Sequence, residues 1–230
     1  MNPESLTIFF PMYNEAGNIE RVIDRVEEVS SQLGIPDLEI LLVDDGSRDG
    51  CDLTVEAWAA RNPAIRLHRH PRNMGYGVAL RTGFLEAQGD AVAYTDSDMP
   101  ADLLNLQRAI PLLAQADLVI GYRIKRYETT RRPDYSRIYN LLMRLMFGVK
   151  VRDVNFSFKL VRREVLDRIH LTATSVFIDG QLLAEAVRYG FTIAEIPIEY
   201  TPRKFGRSNF DSLAAAWATF SEMVVYWVKR

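Results

Sequence analysis

The chain has 230 residues, 48% of them hydrophobic, enough to bury one sizeable core and more in keeping with one domain than with two. Its formal net charge of -2 argues against a general nucleic-acid binder, which needs a basic excess to neutralise phosphates, so any cationic site must be local. Cys51, the only cysteine, rules out an internal disulfide, no Cys/His spacing resembles a zinc site, and the opening MNPESLTIFF lacks the pattern of a secretory signal; a reducing, cytoplasmic setting is expected.

From the amino end, short apolar runs rich in β-branched residues recur at Leu6–Phe10, Leu38–Val43, Ala64–Leu67, Ala91–Tyr94 and Leu118–Ile120. Each is followed by turn chemistry and reads as a buried strand. Between the first two, Ile19, Val22, Ile23, Val26, Val29 and Leu33 lie on one helical face. Alternating strands and helices imply right-handed crossovers and a doubly wound, Rossmann-like α/β domain with a mostly parallel sheet. Ligands in such sheets bind at the carboxyl ends of strands.

Those ends are polar and acidic. The first strand runs into Pro11, Tyr13, Asn14 and Glu15, the second into Asp44, Asp45, Gly46 and Ser47, the fourth into Asp96, Ser97 and Asp98. Each has an ordinary alternative as a helix cap: Asn14 for the first helix, Asp49 for the second, Asp98 for one beginning near Pro100. Several acidic strand ends in one sheet are harder to explain as caps, because the carboxylates repel one another unless a cation or a donor-rich ligand lies between them. Carboxylates at i and i+2 after a buried strand, as in Asp96 and Asp98, can share one hard cation, Mg²⁺ or Mn²⁺, which also accepts diphosphate oxygens.

The segment Asn73 to Gly77 places Gly75 and Gly77 ahead of a helix, where backbone can approach a ligand closely or form an ordinary turn. Arg81, one turn on, is a candidate partner for Asp96. After the fifth strand, GYRIKRYETTRRPDYSR gathers Arg123, Lys125, Arg126, Arg131, Arg132 and Arg137 against Glu128 and Asp134. This is either a solvated loop or a phosphate clamp, with Arg123 the leading candidate, and its charge also suits an anionic membrane surface. Asp179 in SVFIDGQLLAEA is either a helix cap or a general base for a hydroxyl acceptor. Leu213, Trp217, Phe220, Val224 and Trp227 fall at helical spacing before Lys229 and Arg230, while Glu222 interrupts a run already short for the roughly 20 residues of a membrane span. An interfacial helix or one packed on protein is expected.

Taken together, FPMYNEAGNIERVI, LLVDDGSRDG, NMGYGVALRTGFLEAQGDAVAYTDSDMPAD and the RRE of KLVRREVL resemble glycosyltransferase family 2, and within it the polyprenyl-phosphate sugar transferases. The resemblance implies a GT-A fold over residues 1–210, followed at 211–230 by an amphipathic helix. It also implies inverting transfer from a GDP- or UDP-linked sugar to a polyprenyl phosphate, on the inner face of the membrane and with the membrane or a membrane subunit as partner. The alternatives are a hydroxyl acceptor on a lipid-linked or cell-surface glycan, or a non-catalytic nucleotide-sugar binder.

By the same resemblance Pro11, Tyr13, Glu15, Asp44 and Asp45 line the base and ribose site, and Gly75 and Gly77 border the nucleotide. Asp96 and Asp98 hold the metal. Arg203 and Ser208, with Gly206, fall in register with an Arg-x-x-Gly-x-Ser-Lys loop that closes over the diphosphate, Asn209 replacing the lysine. The chain departs from the subgroup at Asn155, Ser157 and Lys159, where a small-Gly-Phe-Arg pattern follows the retained Asp153, and at Pro100, where relatives carry a metal-reaching glutamine.

Overall fold

The computed structural model describes residues 3–124, 132–200 and 213–230, the side chains of 132–135 and 213 excepted. In chain order the elements are β1 (Ser5–Met12), α1 (Ile19–Leu33), β2 (Asp37–Asp44), α2 (Cys51–Ala59), β3 (Ile65–Arg69), α3 (Tyr76–Glu86), β4 (Ala91–Thr95) and α4 (Asn105–Ala109), which leads into a 3-10 turn (Ile110–Ala114). There follow β5 (Leu118–Arg123), α5 (Arg132–Phe147), β6 (Phe158–Arg162), α6 (Arg163–Arg168), α7 (Phe177–Arg188), β7 (Ile193–Ile198) and α8 (Leu213–Lys229). Seven strands form one sheet in the order β3-β2-β1-β4-β6-β5-β7. All pairings are parallel except those of β6, which runs antiparallel to both β4 and β5.

The strands alternate between two cores. Leu6, Ile8 and Phe10 of β1, Ile40 and Leu42 of β2, and Ala91 and Ala93 of β4 pack under α1, α2 and α4. Phe9, Leu41, Val43, Val92 and Tyr94 point the other way, into a second core with α3, α5, α6, α7 and α8. Both faces are covered, so β1, β2 and β4 read as continuous apolar runs. In α1 the stripe from Ile19 to Val29 is buried. Cys51, the first residue of α2, is fully buried, and burial pushes its thiol up to about 11.

The five expected strands are present, and β6 and β7 add to them. On β6, Phe158 and Leu160 face the first core and Val161 the second, which places Lys159 inward on the second face. It is fully buried there. A lysine in a core slot disrupts the apolar pattern that marks a buried strand, and β7 carries Glu195 and Pro197.

The sheet order reverses at β1. The chain moves from β1 outward to β2 and β3, then returns so that β4 pairs on the other side of β1. The crevice beyond the carboxyl ends of β1 and β4 is therefore the topological switch point where open sheets bind ligands. Because β6 is antiparallel, the residues preceding it arrive at this same edge.

Candidate active site at the carboxyl ends of the strands

Asp96 and Asp98 follow β4 directly and are partly buried. The Tyr76 hydroxyl donates to Asp96 Oδ1 at 3.3 Å, and Ser157, just ahead of β6, also hydrogen-bonds to Asp96. Burial and the charge of Asp98 nevertheless push the Asp96 carboxyl from 3.8 to about 7. Two crowded carboxylates in a desolvated corner form the donor set that a hard divalent cation relieves. Among the described residues no cluster of three or more His, Cys, Asp or Glu side chains could hold a metal, so this corner offers such an ion the Asp96 and Asp98 pair. Asp98 does not cap the next helix; α4 begins at Asn105, and Asp102 accepts from the Leu104 N–H.

Asp44 ends β2 opposite Met12 and is fully buried. Its Oδ1 accepts the Ser47 N–H at 2.9 Å, whereas Oδ2 has no hydrogen bond among the described residues and faces Arg69 Nε at 3.7 Å. Nearby, Asn14 has φ 54° and joins the two strand ends: its N–H donates to Ser47 Oγ, and its Oδ1 accepts the Arg48 N–H. It does not cap α1, which starts after Asn18. Asp49 is not the N-cap of α2, which is Gly50; it accepts from Cys51 N–H and from Ala16 N–H and so bridges the two strand ends. Glu15 accepts from Asn18 Nδ2 at 2.6 Å; Tyr13 is half-buried, and Pro11 is buried within β1.

Asp45, expected at the base and ribose, is engaged by its own chain. Its Oδ1 accepts the Met74 N–H at 2.7 Å and lies 2.8 Å from His70 Nδ1, while Oδ2 accepts the Gly75 N–H at 2.8 Å. His70 Nε2 in turn meets Thr82 Oγ1 at 2.9 Å. Asp45 is 4% exposed, and three of its acceptor positions hold the loop. Gly75 has φ +98°, and a Cβ on Gly77 would lie 2.5 Å from the Thr174 carbonyl carbon; both glycines are required by backbone geometry. Arg81 reaches the Thr172 carbonyl at 3.4 Å, and Tyr76, rather than Arg81, meets Asp96.

Asp179 lies in the first turn of α7 without capping it, since α7 begins after Val176. Its Oδ1 accepts from Lys159 Nζ at 2.6 Å and from the Tyr94 hydroxyl, and Lys159 also donates to the Phe156 carbonyl at 2.9 Å. Only 2% of Asp179 is exposed. Arg123 extends a bidentate fork to Asp153, Nε to Oδ2 at 2.8 Å and Nη2 to Oδ1 at 3.2 Å, with its guanidinium over Phe156 and Tyr200. The fork expected on phosphate is thus engaged by Asp153. Arg203 and Ser208 lie outside the described residues, as do Lys125, Arg126 and Arg131.

Tyr76, Ser157, Lys159 and His70 were not singled out as site residues by their sequence positions. The one available signal was Lys159 among apolar residues, since a lysine in a core slot needs a partner. Two surface clefts lie elsewhere, one between α7 and α8 and one beside Asp102 and Arg108. Strand ends, not a closed cavity, define this site.

The family model described as Glycosyl transferase family 2 matches residues 7–170. A polyprenol monophosphomannose synthase of Mycolicibacterium smegmatis is 30% identical over 217 residues, covering 88% of this chain and 79% of that protein. An undecaprenyl-phosphate 4-deoxy-4-formamido-L-arabinose transferase of Pseudomonas fluorescens is 32% identical over 216 residues, 90% of this chain and 61% of that protein. Of three curated relatives, a glycosyltransferase AglD of Haloferax volcanii and the two above, this chain spans 33%, 79% and 61% of the length. Glucosyl-3-phosphoglycerate synthase of Mycobacterium tuberculosis, solved with Mn²⁺, uridine diphosphate and phosphoglyceric acid, superposes with a TM-score of 0.76 at 19% identity, over 97% of this chain and 78% of that one. That likeness establishes the GT-A fold.

Proposed function

Since the chain belongs to glycosyl transferase family 2, we propose that it transfers a sugar, with inversion, from a nucleoside-diphosphate donor to a polyprenyl phosphate at the inner face of the membrane. The observation that carries this reading is the placement of Asp96 and Asp98 after β4, beside the β1 end, at the switch point of the sheet. Asp44, with a buried oxygen free of hydrogen bonds among the described residues, suits a ring N–H or ribose hydroxyl of the donor. Asp45 orders the loop that borders it. When Mg²⁺ or Mn²⁺ is bound, it offsets the charge that builds on a departing diphosphate. Asp96 and Asp98 would hold it.

The acceptor class is argued from Asp179. Asp179 Oδ1 is taken by an ammonium and a phenol and the side chain is almost wholly buried, which leaves an incoming hydroxyl little access to a base there. A hydroxyl acceptor needs a base, whereas a phosphate is already ionised and needs only cations and alignment. This favours the phosphate.

Membrane attachment is argued from α8. Its outer face exposes Trp217, Phe220, Val225, Trp227 and Val228 ahead of Lys229 and Arg230, while Thr219 and Met223 turn inward. Among the described residues no helix is long and apolar enough to cross a membrane. A peripheral, interfacial seat fits this pattern.

The test is a panel of GDP- and UDP-sugars with Mg²⁺ or Mn²⁺, with and without a short polyprenyl phosphate, scoring nucleoside diphosphate release. Release that depends on the lipid and is lost in Asp96→Ala and Asp98→Ala is expected. Release with a sugar hydroxyl acceptor would overturn the acceptor, and donor binding without turnover would reduce the chain to a binder.

A further inference from the structure

Glu222 interrupts the apolar run of α8, and its side chain faces the domain. Its Oε1 accepts the Thr174 N–H at 3.1 Å and the Thr174 hydroxyl at 2.6 Å; its Oε2 accepts the Ser175 N–H at 3.0 Å and the Ser175 hydroxyl at 2.6 Å. Burial pushes this carboxyl upward, but the donors from Ser175 and Thr174 more than offset it and hold it below its ordinary value. One carboxylate thus saturates both oxygens on two consecutive residues of the segment ahead of α7.

That segment supports the active-site loop from behind. The Thr174 carbonyl accepts the Gly77 N–H at 3.1 Å, and a Cβ on Gly77 would meet the Thr174 carbonyl carbon at 2.5 Å and the Ser175 carbonyl oxygen at 2.7 Å. No side chain intervenes, so a shift at residues 174 and 175 has to move residue 77. Next to Gly77, Tyr76 donates to Asp96, and on the opposite side of the loop Asp45 holds Met74 and Gly75. The loop is therefore gripped from two sides, by Asp45 and by residues 174–175. Glu222 fixes the second grip.

We propose that Glu222 is a positioning residue of the active site: through Thr174 and Ser175 it sets the placement of the Met74–Gly77 loop and of the Tyr76 hydroxyl on Asp96. Both Glu222 and its partners fall outside residues 7–170, the stretch matched to the family model, so the role is read from this chain's own contacts. It rests on the reading above insofar as the loop borders the donor.

The test compares Glu222→Ala, Glu222→Gln and Ser175→Ala in the full chain, with Tyr226→Phe as control. Tyr226 ties the same helix to Glu185 instead. Amide exchange is followed at Met74, Gly75, Gly77 and Ser175 in the protein without ligand, and donor KM and kcat are then measured. Glu222→Ala is expected to speed exchange at Gly75 and Gly77 by about tenfold or more and to raise donor KM by a similar factor, with kcat changing less, because a charged hydrogen-bond set is lost. Glu222→Gln and Ser175→Ala fall between it and wild type, and they decide the matter if Glu222→Ala does not fold. Unchanged exchange at Gly75 and Gly77, or an equal increase in Tyr226→Phe, overturns the proposal. Wild-type chain inactive with every donor overturns the sugar-transfer reading alone, because the exchange comparison needs no ligand.

Discussion

Lys159 Nζ lies 2.6 Å from Asp179 Oδ1, and both side chains are closed to solvent. Removing one member of a buried pair strands the other charge, so Lys159→Met should cost about 3–5 kcal/mol. The double variant Lys159→Met with Asp179→Leu should recover a large part of that loss. Urea denaturation of the two variants checks this; equal loss in both would show that the pair adds nothing beyond packing. For the same reason Asp179→Asn is a poor probe of general-base catalysis, since it disturbs Lys159 whatever the acceptor.

The Asp96 carboxyl, raised from 3.8 to about 7 by burial and by Asp98, makes metal binding depend on pH. In the ion-free protein the native state holds the extra proton in that window. Its contribution to stability is full below about pH 4 and is lost as pH rises through about 7. Mn²⁺ replaces that proton, so its stabilising effect should grow from pH 5.5 to 8, and its affinity should weaken by about tenfold per unit well below 7. Melting temperatures with Mn²⁺ and with chelator at both pH values test this. A shift independent of pH would remove Asp96 from the metal site.

Asp45 should behave as a loop clamp. In Asp45→Asn an amide replaces one of two oxygens that each accept a backbone N–H, so a donor faces a donor and the change should be nearly as harmful as Asp45→Ala. Loss of such charged hydrogen bonds is worth about 1.5–3 kcal/mol each. Stability without ligand and donor affinity should therefore fall together in calorimetry and titration. Weakened affinity at unchanged stability would instead return Asp45 to direct contact with the nucleoside.

Trp217→Ala combined with Trp227→Ala should leave the fold intact, since these side chains are 70% and 50% exposed. Partition onto vesicles containing anionic lipid should drop by about tenfold or more, in keeping with the apolar area withdrawn. Vesicle sedimentation measures it. Unchanged partition would point to a protein partner for that face.

The parallel half of the sheet was legible because strands covered on both faces are uniformly apolar, as in β1, β2 and β4. β6 was not, because its inward Lys159 is explained only by Asp179, which belongs to a later helix. Its direction had a further effect: the active edge receives residues that precede β6, such as Ser157, whereas a search of strand ends inspects only those that follow. Asp44 and Asp45 pose the subtler case. Adjacent aspartates after one strand look alike in sequence, but the peptide plane turns them apart, one toward Ser47 and the other toward Met74 and Gly75.

The only thiol of the chain gives these comparisons a ready instrument. Cys51 opens α2 with its side chain enclosed against the sheet, and with its proton lost only near about 11 it should resist alkylation in the native state. At pH 8 only about one molecule in a thousand would carry the thiolate even before access is considered. Labelling of unmodified protein therefore counts openings of the α2 layer, on the far side of the sheet from Lys159 and Glu222. A variant that loosens only the loop should label as slowly as wild type, and one that unfolds the domain should not.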